Sequence, residues 1–288
     1  MQPKGMDGFK YQVGVTSEIN DEVSQCFWSI SSELPDREKL RCAYEIINEY
    51  LNKDIATLLA THEDWWLNFW DELFIQVPET ILQKQWYLEQ YKFGSAARAG
   101  APTISLQAVW TADNGKLPPW KGDFHHDLNT QLSYWSSYSA NHLDEEIGFI
   151  DWLWNNRAVF KEYTKKYYET EEVNVPGLST LTGQPMGSWI QYAFSPTVTA
   201  WLGHHFYFHW RYSIDHEFLI QKAYPWISDV AIFLTEISKV TDQDMRKLPI
   251  SSSPEIYNSS RDVWFLETTN YDLSLIRWTY EKASELAL

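Results

Sequence analysis

Apolar residues recur every three or four positions over most of this chain, the spacing of helices that bury one face. The first such stretch follows Pro35, where Asp36 is placed to cap a helix and Leu40, Ala43, Ile46, Ile47 and Leu51 share one side. A second runs from Asp54 to Phe74 with Trp65, Phe69 and Leu73 on its apolar face, and Pro78 interrupts it. A third, Glu79 to Ala97, carries Ile81, Leu82, Trp86, Leu88 and Tyr91. The same spacing predicts helices over 128–142, 145–168, 197–212, 216–239 and 268–286. Ahead of them, Phe9, Tyr11, Val13 and Val15 alternate weakly, which suits a short strand or an irregular entry segment.

Three long stretches break the helical rhythm. One extends from Gly100 to about Asp127 and holds Pro102, Gly115, Pro118, Pro119 and Gly122. Another, Thr170 to Gly187, holds Pro176, Gly177, Gly183 and Pro185; the third, Thr241 to about Asp262, contains Ser251-Ser252-Ser253-Pro254-Glu255. Loops of this length within a domain are usually functional. About eight helices in antiparallel succession, with almost no convincing strands, predict an all-α fold of the α/α-toroid kind whose loops build a site at one rim. The expected division is an N-terminal segment, residues 1–34, followed by a helical domain over residues 35–288.

Charge narrows the choice of partner. The 288 residues hold 39 acidic against 23 basic side chains, a net charge of −16, with no Lys/Arg cluster, which argues against nucleic acid and against an anionic membrane. The longest apolar run, Val230 to Leu234, is too short to span a bilayer. No signal-peptide pattern opens the chain, and two cysteines, Cys26 and Cys42, do not make a disulfide framework. Aromatic residues make up 16% of the chain, including 16 tryptophans. Such rings serve equally as bulky core or as stacking platforms for sugar C–H faces.

The densest cluster of chemical groups is Trp120-Lys121-Gly122-Asp123-Phe124-His125-His126-Asp127-Leu128-Asn129, at a loop-to-helix junction. Asp127 suits an N-cap, but that leaves His125, His126, Asn129 and the nearby tryptophans unexplained. Glu255, by itself an ordinary solvated carboxylate, gains interest as a partner for Asp127, because cleaving a glycosidic bond needs one carboxylic acid and one base. Trp201, His205, His209 and Tyr212 recur at positions that share a helix face, with His204 beside them. This stripe reads as helix packing, as a cavity lining or, less readily, as a metal cluster, since no acidic third ligand adjoins it in sequence. No metal or cofactor motif is found, and none is expected.

Several runs together resemble glycoside hydrolase family 95, inverting α-L-fucosidases with some α-L-galactosidases. They are Ser105-Leu106-Gln107-Ala108-Val109-Trp110, Leu117-Pro118-Pro119-Trp120, Asp123 through Asn129, and Gln131-Leu132-Ser133-Tyr134-Trp135. Ala200-Trp201-Leu202, Phe218-Leu219, Tyr224-Pro225 and Ser252-Ser253-Pro254-Glu255 follow in the family's order. The resemblance implies a six-hairpin (α/α)6 toroid, a glycan substrate and no cofactor. It places His125 and Trp201 on sugar-contacting positions, with Trp120 and His126 beside them, and Glu255 on the general acid. The family's Asn-x-Asn pair, which holds the attacking water, reads Asp127-Leu128-Asn129 here.

Four departures follow from the same resemblance. Asp127 stands where the family has an amide, Val198-Thr199 where it has two glycines, and the family's later Asp and His fall beyond Leu288. Its N-terminal β-sandwich is largely missing from this sequence. Asp127 is itself a base, so the expectation is that Asp127 deprotonates a water held with Asn129, while Glu255, its pKa raised by burial or a neighbouring charge, donates a proton across the same pocket. Carboxyls serving this inverting chemistry stand roughly 6.5–9.5 Å apart. About eight helices make an incomplete toroid whose exposed inner faces offer an oligomer contact. A catalytically incomplete carbohydrate-binding relative is the alternative reading. Family members are commonly exported, which leaves the compartment open.

Overall fold

In the computed structural model, the chain is described over residues 10–19, 24–33, 41–108, 120, 122–187, 189–257 and 259–287. It divides into two compact units, Met1–Asp71 and Glu72–Leu288. Asp36, the expected cap, and most of the expected loop around Gly115, Pro118 and Pro119 lie outside the described residues.

In the first unit the weak alternation becomes two long strands rather than one short one. β1 (Lys10–Ile19) and β2 (Ser24–Glu33) pair antiparallel, with Val13 opposite Ile30 and Val15 opposite Trp28. Two helices follow, α1 (Ala43–Leu51) and α2 (Ile55–Asp71). α1 packs on the hairpin through the face that carries Gly14, where an added Cβ would come within 2.8 Å of Ile47 Cδ1. Gln12 on that face accepts hydrogen bonds from the Cys42 thiol and the Ala43 amide. The alternating apolar residues Tyr11, Val13, Val15, Trp28 and Ile30 are therefore on the exposed face, the reverse of the usual strand pattern.

The second unit is helical. α3 (Thr80–Ala96) starts at Glu79, whose carboxylate accepts from the Ile81 amide. Then come α4 (Asn129–Ser139), α5 (Leu143–Asn155), α6 (Arg157–Tyr168), the single turn α7 (Ile190–Ala193) and α8 (Val198–Ser213). α9 (His216–Phe218), a π-helical turn over Leu219–Ala223 and α10 (Tyr224–Ile237) run on without a break, and α11 (Asn270–Leu286) follows. The long helix expected over 145–168 is two helices meeting at Asn156, whose side-chain amide bonds the Trp152 carbonyl. A bend of one residue leaves the apolar period in phase, so the pattern conceals it.

α8 sits among α4, α5, α10 and α11, which explains its apolar and aromatic character on several sides. Its Phe206 stacks on Trp226 at 4.4 Å between ring centres, while Phe149 of α5 stacks on Tyr134 at 4.6 Å. Phe160, Phe233, Leu153 and Leu202 complete a core with almost no exposure. Much of the aromatic excess is thus spent inside the helix bundle, and a smaller share is left for a surface cavity. Among the described residues no helix is long and apolar enough to cross a membrane.

Candidate active site

Two short strands bring the first site segment into position. β3 (Phe124–His125) pairs antiparallel with β4 (Leu178–Ser179), so that His125 stands opposite Leu178. Gly177 precedes β4 because nothing larger fits there: a Cβ would lie 1.8 Å from the Tyr192 carbonyl oxygen. Past β3 the chain turns through Asp127 and enters α4 at Asn129. The N-cap of α4 is Leu128, with no side-chain cap bond, so the capping role that the sequence allows for Asp127 is not the one it takes.

The second segment is the loop ahead of α11. Ser251 pairs with Phe265 through both backbone bonds, and its hydroxyl donates to Asp272. Thr269 donates to the Ser252 carbonyl, and Thr197, just ahead of α8, donates to the other Asp272 oxygen at 2.5 Å. Burial raises the Asp272 pKa while the Ser251 and Thr197 hydroxyls oppose the rise. These bonds give the serine-rich run its structural use: it is tied to the N-termini of α8 and α11, and the turn beyond it carries Glu255.

His125, Asp127, Asn129, Trp120 and Glu255 line one cavity of about 260 Å³, joined by Leu106, Leu178, Trp189 and Tyr192. Its walls combine three aromatic rings with two carboxyls, an imidazole and an amide. The volume is just below the ~300–1,000 Å³ of pockets for drug-sized molecules, which suits one sugar ring more than a chain. Asp127 is buried and its pKa is raised. Burial is the main cause, the Glu255 charge adds to it, and His125 with the Asp127 and Leu128 amides oppose it. Behind His125 lies Asp123, its carboxyl 3.1 Å from the ring without good hydrogen-bond geometry; burial raises the Asp123 pKa and the imidazole opposes this. Glu255 is exposed at the rim. Burial therefore falls on Asp127, while Glu255, the expected acid, stands in the open.

Two expected sugar contacts stand elsewhere. His126 has no exposure; it stacks on Phe124 and Trp152, and its Nε2 lies 2.8 Å from the Ser179 hydroxyl. It alternates with His125 across the strand, so the same pairing that turns one ring to the cavity turns the other to the core. Trp201 is half-buried on α8, edge-on to Tyr271 at 6.0 Å, and is not among the cavity walls. The histidine stripe belongs to helix packing. Tyr138 donates to Glu146 at 2.7 Å and meets His205 Nδ1 at 2.7 Å, while His209 Nδ1 lies 2.9 Å from Glu146. His204 stacks on Trp278 at 3.7 Å. Among the described residues no three His, Cys, Asp or Glu side chains gather as a metal site.

Burial, aided by the charge of His125, lowers the His126 pKa from 6.5 to about 3. A histidine whose protonated form is disfavoured in the fold contributes stability above its unfolded pKa and loses it as pH falls towards the folded value. Replacing His126 by glutamine, which can keep a bond to Ser179 without titrating, is expected to flatten the acid-side fall in unfolding free energy by up to ~1.4 kcal/mol per pH unit. Denaturant unfolding followed from neutral to about pH 4 reads that slope.

Sequence reasoning missed Leu106, Leu178, Trp189 and Tyr192 as cavity residues. The only signal was an aromatic pair three apart, Trp189 at the N-cap and Tyr192 within a helix of four residues, too short to show a period.

Helical hairpins carrying an acid-lined, aromatic-walled cavity at their loop ends define an α/α-toroid protein of the glycosidase type. The Glycosyl hydrolase family 95 catalytic domain matches residues 78–287, and the chain belongs to that family. It is 28% identical over 176 residues to "Alpha-L-fucosidase 2" of Arabidopsis thaliana, covering 58% of this chain and 20% of that protein. It is 29% identical over 149 residues to "Probable alpha-fucosidase A" of Aspergillus niger, covering 50% of this chain and 18% of that protein. The chain thus spans about a fifth of the length of these relatives. A solved structure titled "Putative kojibiose phosphorylase from human microbiome" superposes with a TM-score of 0.71 at 10% identity, over 97% of this chain and 40% of the other. That likeness establishes the toroid fold.

Proposed function

We propose that this protein is an inverting exo-glycoside hydrolase that removes a terminal α-L-fucose, or a sugar of similar configuration, from a glycan. The observation that carries the reading is the convergence of Asp127, Asn129 and His125 with Glu255 on one monosaccharide-sized cavity, although the two carboxyls lie far apart in sequence. Asp127, beside the N-terminus of α4, acts as the base: its raised pKa suits proton abstraction nearer neutral pH, and Asn129 holds the water with it. Glu255 at the rim protonates the departing oxygen of the glycan. His125 and the rings of Trp120, Trp189 and Tyr192 hold the sugar. The residues 35–288 serve as the glycosidase domain in this reading, with 1–34 as the segment leading into it.

The exposure of Glu255 favours one competing reading, a relative that keeps the sugar-binding cavity without complete catalysis. The decisive experiment is turnover of 4-nitrophenyl α-L-fucopyranoside followed by NMR. Release of β-L-fucose as the first product supports inversion. Binding of L-fucose without turnover supports the binding relative, and neither binding nor turnover overturns both readings.

A further inference from the structure

The turn that presents Glu255 is held in an uncommon backbone state. Glu255 has φ +61° and Tyr257 has φ +59°, both in the left-handed region that residues with a Cβ seldom adopt. Each is tied to α7. The Glu255 amide donates to the Tyr192 hydroxyl at 2.9 Å, and the Tyr257 carbonyl accepts from the Gln191 side-chain amide at 3.2 Å. Tyr192 is in turn fixed from behind, since the chain at Gly177 lies too close to its carbonyl to admit a Cβ. Its ring lies 6.0 Å from that of Trp189, and both line the cavity.

We propose that Tyr192 is a positioning residue for Glu255: its phenol oxygen, by accepting the Glu255 amide, holds the left-handed turn and so keeps the carboxyl at the cavity mouth. The proposal rests on the reading of Glu255 as the proton donor. One hydroxyl can accept the amide and still has a proton of its own to offer to the Glu255 carboxylate or to the sugar. That proton stays in place, because burial, helped by the charges of Glu255 and Asp127 and opposed by the Glu255 amide bond, raises the Tyr192 pKa. Through this bond, with the Gln191–Tyr257 bond beside it, the exposed turn at Glu255 is registered against the wall that holds the sugar.

The test separates positioning of an acid from loss of a binding surface. Tyr192→Phe removes one half-buried oxygen and keeps the ring. Hydrolysis is compared for a fucoside with a poor, alkyl leaving group and for the 2,4-dinitrophenyl fucoside, whose leaving group departs without protonation. For the alkyl fucoside kcat is expected to fall by about tenfold or more with KM changed less than about twofold, and for the dinitrophenyl fucoside by less than about twofold. Pro254→Gly, which loosens the same turn without touching Tyr192, should give the same signature in milder form, and it serves if Tyr192→Phe does not fold. Equal losses on both substrates, a change confined to KM, or no change at all would overturn the proposal. Glu255→Gln is run alongside: if it shows no leaving-group dependence, the acid assignment itself fails. If it does and Tyr192→Phe does not, only the role of Tyr192 is lost. An inactive parent protein overturns both.

Discussion

Asp127→Asn is expected to lower kcat by about 10²- to 10⁴-fold whatever the leaving group, the usual worth of a general base, while the protein folds normally. The substitution keeps shape and the capacity to hold a water but removes the site that takes its proton. It also recreates, with Asn129, the Asn-x-Asn pair that the family resemblance implies. Stability should not suffer. Burial raises the Asp127 pKa, so its ionised form costs stability once the pH exceeds the unfolded value, and a neutral amide removes that cost. Thermal unfolding near neutral pH should give a Tm equal to or above that of the parent. In the parent, activity should fall as pH drops through the raised Asp127 pKa, on the high side of the ordinary carboxylate range, because the base must be ionised to act. A variant retaining more than about a tenth of the parent kcat would remove Asp127 from the chemistry.

Glu255→Gln is expected to cost about 10²- to 10⁴-fold on fucosides with poor leaving groups and far less on the dinitrophenyl fucoside. The logic lies in the bond being broken: an alkoxide departs only if protonated, whereas a dinitrophenolate needs no such help. The two variants therefore differ in pattern as well as in size. Asp127→Asn should be blind to the leaving group, and Glu255→Gln should be sensitive to it. If the patterns came out exchanged, with Asp127→Asn sparing the activated substrate, then the buried carboxyl would be the acid and the exposed one the base. The placement of these groups makes that comparison informative, since burial acts on Asp127 while Glu255 stands in the open. If Glu255→Gln left turnover of both substrates intact, the pairing of the two carboxyls would have no catalytic meaning.

The helices were legible because each must bury one face, and a face of a helix leaves a period in the sequence. Pro78 and Glu79 mark the start of α3 just as capping chemistry requires, and the spans of α4 and α8 depart from expectation by only a few residues. Less was visible where geometry depends on a partner distant in sequence. The apolar spacing of residues 145–168 runs on across the break at Asn156, where α5 ends and α6 begins, so the period does not reveal it. In the hairpin of the first unit the apolar residues lie on the exposed face, and α1 approaches the other face closely at Gly14, a choice that alternation in sequence does not make.

His125 and His126 make the same point within the site. Sequence offers two equivalent imidazoles; strand alternation sends one to the cavity and the other onto Trp152. Trp201, His205 and His209 share a helix face as their spacing requires, but that face meets α4, α5 and α11, where a buried tyrosine and glutamate complete the hydrogen bonds.

What the residues alone fixed was local and periodic: the helical class, the three long loops, the acidic and aromatic character, and the motifs that identify the family. The identity of most candidate groups belongs to that level, since side-chain chemistry does not depend on folding. Tertiary structure decided which of them meet. It brought Glu255 to Asp127, enlisted Trp189 and Tyr192, withdrew His126 and Trp201, and buried one carboxyl while exposing the other. The reason is that a cavity is made by surfaces from segments far apart along the chain, and the close approaches that assemble it, such as Gly177 against Tyr192, leave no periodic trace in sequence.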